Sequence, residues 1–278
     1  MTRATRFLWL MHFVGNALLL WLAYYWLGVG ESTIGRLLWS AVLAALILCG
    51  ALWLHGSGFV FFRSDRTALS PALRTALRNL LPLFVLAIVA LFVYGLLSWW
   101  RDYSSQPAFK IASYLTLKSR KPVKPATIQS IFNAVLWLVR WTVIPVLLLP
   151  LSANVANKGW RGYNREAWRQ SSRWLYWIQV VTLLVGGIWL PLKLINWVPH
   201  LNAFSMQMAS FLFRLLIGYL LFVTACLLLE LVSSGAPVAA PSAPERTPAP
   251  AGPPHSQPVH AAVHDEASSQ TPHGSVES

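Results

Sequence analysis

Acidic residues are scarce in this sequence of 278 residues, which has 9 Asp and Glu against 22 Lys and Arg and a formal net charge of +13. Enzymes that handle diphosphates with magnesium need clustered acids, and no DxxD-type cluster is present. A phosphate-binding GxxxxGK(S/T) loop, a HExxH pair and a GxSxG nucleophile elbow are also absent. We therefore predict no catalytic residue. The acids before residue 233 are Glu31, Asp65, Asp102, Glu166 and Glu230.

Cysteine is almost absent too. Cys49 and Cys226 are the only two, and neither has a CxxC neighbour that would indicate a zinc site or a redox pair. Four histidines near the C-terminus are spaced too irregularly for a metal site. The sequence thus predicts no metal site and no cofactor. These four histidines are His255, His260, His264 and His273.

Charged residues make up only 11% of the chain, whereas 56% is hydrophobic and the mean hydropathy is +0.52. This composition excludes an ordinary soluble enzyme. A bilayer core needs about 20 apolar residues per helix, and six runs of that kind are present. We predict an all-α, polytopic integral membrane bundle of about six transmembrane helices in residues 1–232. The runs are roughly 7–27, 36–55, 79–100, 130–151, 174–195 and 208–231.

Residues 233–278 differ from the rest of the chain. They contain 9 of the 18 prolines, are rich in Ala, Ser and His, and contain no aromatic residue. Such a segment cannot bury enough apolar surface to offset the entropy of ordering it. We predict a disordered C-terminal tail.

The basic residues of the loops bear on orientation, because Lys and Arg are enriched on the cytoplasmic side. With the N-terminus inside, eleven basic residues lie inside and seven outside, and the basic loop 101–129 is the misfit. If the fourth run were re-entrant, as Arg140, Pro145 and Pro150 within it allow, and the N-terminus lay outside, the counts would be twelve inside and six outside. We prefer six crossings, and the side of loop 101–129 stays open.

Arg140 is the foremost candidate for a binding residue, because an arginine near the bilayer centre is costly and often marks a functional site. Asn133 lies two turns earlier on nearly the same stripe, and Trp137 is placed for a cation–π contact. With Lys193, Arg214 and the basic cluster of 110–124, Arg140 would form an outward-facing basic surface or vestibule that concentrates anions or anionic lipid head groups. The alternatives are a span shifted to about 141–157, and Lys193 and Arg214 snorkelling to the interface.

His12 and Asn16 are polar residues on one face of the first span, and His55 closes the antiparallel second span on the same side. Hydrogen bonding between helices is the simplest role for them. A bis-histidine haem or a metal ion between His12 and His55 is the alternative.

We interpret the sequence as that of a non-catalytic membrane component, either a scaffold or accessory subunit or a carrier of small anionic solutes. A membrane enzyme acting on lipid or polyprenyl head groups is a second hypothesis; it would need Asp65, Asp102, Glu166 or His12 to gather in one pocket. Haem-based electron transfer is a third.

The expected location is the cytoplasmic membrane of a bacterium, and the expected partners are the bilayer, its anionic lipids and other membrane proteins. The basic loop 158–163 suits lipid head groups, so we expect no nucleic acid. The oligomeric state is left open.

Overall fold

A computed structural model describes residues 3–30, 32–64, 68–199 and 203–235. Within these ranges the regular structure is entirely helical, without a β-strand. Its α-helices are α1 (Arg3–Leu27), α2 (Ile34–Arg63), α3 (Leu69–Arg78), α4 (Leu80–Tyr103), α5 (Ser105–Ser119), α6 (Pro125–Leu138), α7 (Ile144–Lys158), α8 (Glu166–Arg169), α9 (Trp174–Leu184), α10 (Leu190–Asn196) and α11 (Phe204–Ser233).

Six helical segments of the described residues are long and apolar enough to cross a membrane, which confirms the predicted fold class of a multi-pass membrane bundle. The predicted tail falls outside the described residues from 236 onward. The fourth segment is helical from Pro125 to Lys158, and at Gly159, whose φ is 60°, the chain turns so that Gly162 lies against Val155 of α7. The six segments are Arg3–Leu27, Ile34–Arg63, Leu80–Tyr103, Pro125–Gly162, Trp174–Asn196 and Phe204–Ser233.

Two of these segments contain a π-helical turn just before a proline. The turn Val139–Val143 joins α6 to α7 ahead of Pro145, and the turn Val185–Trp189 joins α9 to α10 ahead of Pro191. A proline has no N–H, and its ring clashes with the carbonyl four residues back. The wider turn accommodates the ring while the chain stays helical. Arg140 lies within the first of these turns.

The predicted loop 101–129 is largely helical. Ser104 is fully buried between α4 and α5, and its hydroxyl accepts a hydrogen bond of 2.7 Å from the amide of Gln129 in α6. Arg120, with φ of 53°, ends α5 in the left-handed region. The segment is therefore a helix packed on α6 and followed by a short basic turn.

Helix α2 is the centre of the bundle and contacts α1, α3, α4, α7 and α11. Its residues 56–62 are all buried, which explains why it extends to Arg63, well past the predicted end at residue 55. Gly56 and Gly58 in this stretch let neighbouring helices approach closely. The apolar core therefore lies at the end of the bundle where α1 begins and α2 and α11 end. It includes Leu8, Phe59, Phe61, Leu69, Leu83, Leu151, Val155, Val223 and Leu227.

Candidate functional site: an intramembrane His–Glu–His triad

Three titratable side chains meet inside the membrane-spanning bundle, one each from α1, α2 and α11: His12, His55 and Glu230. On α1, the buried residues Leu8, His12 and Asn16 are spaced four apart and form one inward stripe. His12 is about 13 Å along α1 from Arg3, and His55 about 12 Å along α2 from Arg63. We call His12, His55 and Glu230 the triad.

One carboxylate oxygen holds the triad together. Oε1 of Glu230 lies 3.0 Å from Nε2 of His12 and 2.7 Å from Nδ1 of His55. Nδ1 of His12 donates to the carbonyl of Leu8 at 3.1 Å, because a carbonyl can only accept. One hydrogen therefore lies between Nε2 of His12 and Oε1 of Glu230, and the contact is an ion pair when that hydrogen is on His12.

The triad is a built site rather than a surface cluster. His12 and Glu230 are 0% and 2% exposed, whereas the side chain of His55 is 29% exposed. Gly58 makes room for the carboxylate, since a Cβ atom there would overlap Oε2 of Glu230. Oε2 itself is buried and has no hydrogen-bond partner among the described residues. The carboxylate is therefore fixed through one oxygen and free at the other.

This geometry suits one small cation better than a haem. A bis-histidine haem needs its two imidazoles on opposite faces of the macrocycle, whereas both rings of the triad converge on a single oxygen atom. Their centroids are 5.6 Å apart and the rings are tilted by 64°. One ligand atom from each of the three residues lies within 4.8 Å of the others, which is the scale of one coordination sphere.

A second polar feature is an open groove of about 760 Å³ between the start of α4 and the segment that follows α7. We call it the basic groove, because Arg78, Lys158 and Arg161 line it. Gly159, with φ of 60°, lies against Asn79, and a Cβ there would be 2.8 Å from the Asn79 side-chain oxygen. Asn79 in turn donates to the carbonyl of Ala156 at 2.8 Å, which fixes the wall of the groove.

Two titratable groups lie beside the basic groove and outside the membrane spans. Lys158 donates a hydrogen bond of 3.1 Å to exposed Glu166, and this bond, with the charge of Lys158, lowers the pKa of Glu166. Burial raises the pKa of Tyr163, whose hydroxyl donates to the carbonyl of Pro82 at 2.6 Å. Lys158 is thus partly neutralised, whereas Arg78 and Arg161 supply most of the positive charge.

The structure places the predicted binding residues in two separate regions. Arg140 lies over the ring of Tyr94 of α4, 5.5 Å from its centroid, so its aromatic partner is not the predicted Trp137. The Tyr94 hydroxyl donates to the Arg140 carbonyl at 2.8 Å. Asn133 lies 3.5 Å from the Gln129 amide, within its own helix.

The other two predicted binding residues lie at the α10–α11 contact. Arg214 is buried, and its guanidinium donates to the carbonyls of Leu194 and Ile195 near the end of α10, each at 3.4 Å. Lys193 lies over the ring of Trp189, 5.6 Å from its centroid. Carbonyls at a helix C-terminus carry partial negative charge, so they stabilise the buried guanidinium of Arg214. The vestibule formed by Arg140, Lys193, Arg214 and the 110–124 cluster stays a prediction.

The remaining intramembrane candidates and the acids have distinct surroundings. Asn16 donates to the carbonyl of His12 in its own helix at 2.9 Å, whereas His12 makes the predicted interhelical bond, to Glu230. Asp102 pairs with Arg101 at an exposed position on α4, and Glu166 pairs with Lys158. The structure therefore does not bring His12, Asp102 and Glu166 together, and Asp65 lies outside the described residues.

Glu230 was not predicted as a site residue and was noted only as one of the five acids before residue 233. A usable signal was present, because six crossings place the start of α1 and the ends of α2 and α11 on one side of the membrane. Glu230 therefore had to share a side with His12 and His55. The run His55-Gly56-Ser57-Gly58 marks a place where another helix approaches closely.

Comparison with protein-family models, with curated proteins and with solved structures gives no match to this chain. The triad and the basic groove are therefore the features from which we infer function.

Proposed function

We propose that this protein is a non-catalytic membrane component, a carrier or an accessory subunit, whose working centre is the triad and which binds a small cation there. The observation that supports the proposal best is the buried carboxylate of Glu230, which receives hydrogen bonds from His12 and His55 inside a membrane-spanning bundle. Ionisable residues at such positions are costly to bury and commonly belong to ion or proton pathways.

The charge of the triad favours a cation. With neutral imidazoles, the carboxylate gives the site one negative charge, which is stable in a low-dielectric interior only when a proton or a metal ion neutralises it. The side chain of His55 is partly exposed, so an ion would enter the triad past His55. The described structure around the triad contains no second carboxylate that would favour a larger anionic cage.

Flux measurements on the full chain in liposomes test this function. Separate preparations would contain a dye sensitive to pH, K⁺, Mn²⁺ or Zn²⁺, with an inward gradient of the matching cation. We expect cation entry above that of protein-free liposomes, reduced at least tenfold by Glu230→Gln. Asp102→Asn is the matched control, because it makes the same change of charge at an exposed position away from the triad. If the wild-type chain admits none of these cations, or Glu230→Gln admits them equally well, the cation-carrier proposal fails.

Carriage of small anionic solutes is the second candidate, and the basic groove favours it. Arg78, Lys158 and Arg161 concentrate anions at the mouth of the bundle. Efflux of radiolabelled inorganic phosphate from proteoliposomes, with Arg78→Gln and Arg161→Gln as variants, tests this role. Arg140→Leu belongs to the same series. Unchanged efflux and folding in that variant would exclude Arg140 from the pathway.

For the location we propose the cytoplasmic membrane of a bacterium, with the basic end of the bundle inside and against anionic lipid. The basic residues near that end include Arg3, Arg6, Arg63, Arg74 and Arg78, and these support the assignment through the positive-inside rule. Labelling of single cysteines introduced into the segment 101–129 tests it. Reaction with an impermeant reagent in intact cells is expected, and protection of these cysteines would reverse the orientation.

A further inference from the structure

We propose that the triad is a binding site for a divalent transition-metal ion of the zinc class, with His12, His55 and Glu230 as its three protein ligands. This inference deepens the proposed function, since it names the cation at the same centre. It also depends on that function's premise that the triad is a working site rather than a packing contact.

The donor set points to this class of ion. Two imidazole nitrogens and one carboxylate oxygen form a ligand set used for Zn²⁺ and its neighbours, whereas Mg²⁺ and Ca²⁺ prefer shells made of oxygen. Three protein ligands leave a fourth position open, the arrangement of zinc sites that bind water or a substrate. The partly exposed edge of His55 is where that fourth position would be reached.

The distances require little rearrangement. Tetrahedral zinc with bonds of about 2.0–2.2 Å separates neighbouring ligand atoms by about 3.3 Å. The observed separations from Oε1 of Glu230 are 3.0 Å to His12 and 2.7 Å to His55. These two separations must therefore lengthen by only about half an ångström to match zinc geometry, and the two imidazole nitrogens already lie within 4.8 Å of each other.

The surroundings already orient the ligands. Histidines that bind metals commonly donate their other ring N–H to a carbonyl, which directs the lone pair of the ligating nitrogen at the ion. His12 does this through Nδ1 and the Leu8 carbonyl, and this leaves Nε2 directed at the triad. The hydrogen between Nε2 of His12 and Oε1 of Glu230 leaves as the ion enters, and the ring hydrogen of His55 shifts from Nδ1 to Nε2, so one proton is released in total.

The unpartnered oxygen of Glu230 is the independent observation. A carboxylate oxygen that is buried and unbonded is uncommon, because its desolvation is not compensated. Oε2 is in that state among the described residues, and Gly58 keeps the space around it clear of a side chain. An ion held by both oxygens of this carboxylate would supply the interaction that Oε2 lacks.

Metal titration of the purified full chain in detergent is the test. Protein freed of metal with a chelator would be titrated with Zn²⁺ against a competing indicator and with Co²⁺ by visible absorption. The wild-type chain should bind one equivalent at the triad. Loss of a ligand in Glu230→Gln or His55→Ala should weaken this binding by more than the ~10–100-fold that loss of an outer-shell partner costs. Asp102→Asn, the matched carboxylate control, should bind as the wild type does.

Binding by the tail is controlled in the same experiment. The titrations would be repeated on the full-length chain with alanine at each of the four tail histidines. Survival of one equivalent in this chain, and its loss on adding Glu230→Gln, supports the triad. Since Glu230→Gln can unfold the protein, His55→Ala at the more exposed ligand gives a second variant, and thermal unfolding would be measured on each.

Two results would overturn the inference: no bound equivalent in the chain lacking tail histidines, or equal affinity in folded Glu230→Gln, His55→Ala and wild type. Either outcome is separate from the liposome result. Metal binding without flux would support the metal site and contradict the carrier function. Proton or potassium flux without metal binding would support the carrier function and contradict the metal site.

Discussion

Substitution of Gly58 by alanine tests the geometry of the triad without changing any of its three residues. The new Cβ would overlap Oε2 of Glu230, whose partner oxygen is held by His12 and His55. The carboxylate therefore cannot swing aside unless it loses these hydrogen bonds. We expect Gly58→Ala to destabilise the protein, although alanine is normally the better residue in a helix interior.

The magnitude follows from three terms. Overpacking costs about 1–3 kcal/mol, and the loss of one hydrogen bond to a charged group costs about 1.5–3 kcal/mol. The helix propensity of alanine over glycine offsets about 1 kcal/mol. The net destabilisation is therefore about 1.5–5 kcal/mol, which corresponds to a fall in Tm of roughly 3–20 °C for a chain of this size.

The assay is unfolding of the purified chain in mixed detergent micelles, followed by tryptophan fluorescence. Gly95→Ala in α4 is the matched control, because a Cβ there meets no atom within 4 Å, and it should be neutral or stabilising. In a Glu230→Ala background the overlap disappears, so Gly58→Ala should cost almost nothing there. A double-mutant coupling near zero, with Gly58→Ala as stable as Gly95→Ala, would refute the contact between α2 and α11 at this point.

Two further predictions concern other parts of the molecule. Gly187→Ala should destabilise the protein by about 1–3 kcal/mol, since its Cβ would overlap that of Ala225 on α11. Gly186→Ala is the control and should be tolerated, because a Cβ at Gly186 meets no atom within 4 Å. Equal Tm values for the two variants would contradict the packing of the fifth span on α11. Lys158→Met should return the lowered pKa of Glu166 toward its ordinary value, measured by NMR titration of the side chain, and an unchanged pKa would show that Lys158 does not cause the shift. The ion pair persists at pH values above the lowered pKa of Glu166. Acidification through that pKa should therefore break the pair and release Lys158 into the basic groove.

Hydropathy and charge predict the fold well, because length and apolarity alone decide which segments can cross a bilayer. They also place His12 and His55 on one side of the membrane. What they do not predict is which helices touch, since lipid and protein interiors are equally apolar and the choice depends on small residues at the contacts. In this protein Gly58 allows α11 to approach α2 closely, and this contact determines which residues Glu230 meets. The aromatic partner of Arg140 was missed for the same reason, since Tyr94 comes from a different helix.

The helices that hold the triad differ from the fourth and fifth spans in a way that bears on function. Around the triad, α1, α2 and α11 pack tightly, and residues 56–62 of α2 are buried on all sides. The fourth and fifth spans instead contain their π-helical turns and prolines within the spans, where backbone hydrogen bonds are already rearranged. Changes of helix direction concentrate at such turns, whereas packed cores resist deformation. We therefore expect any change of shape that accompanies ion binding to occur in these two spans, while α1, α2 and α11 keep the triad fixed.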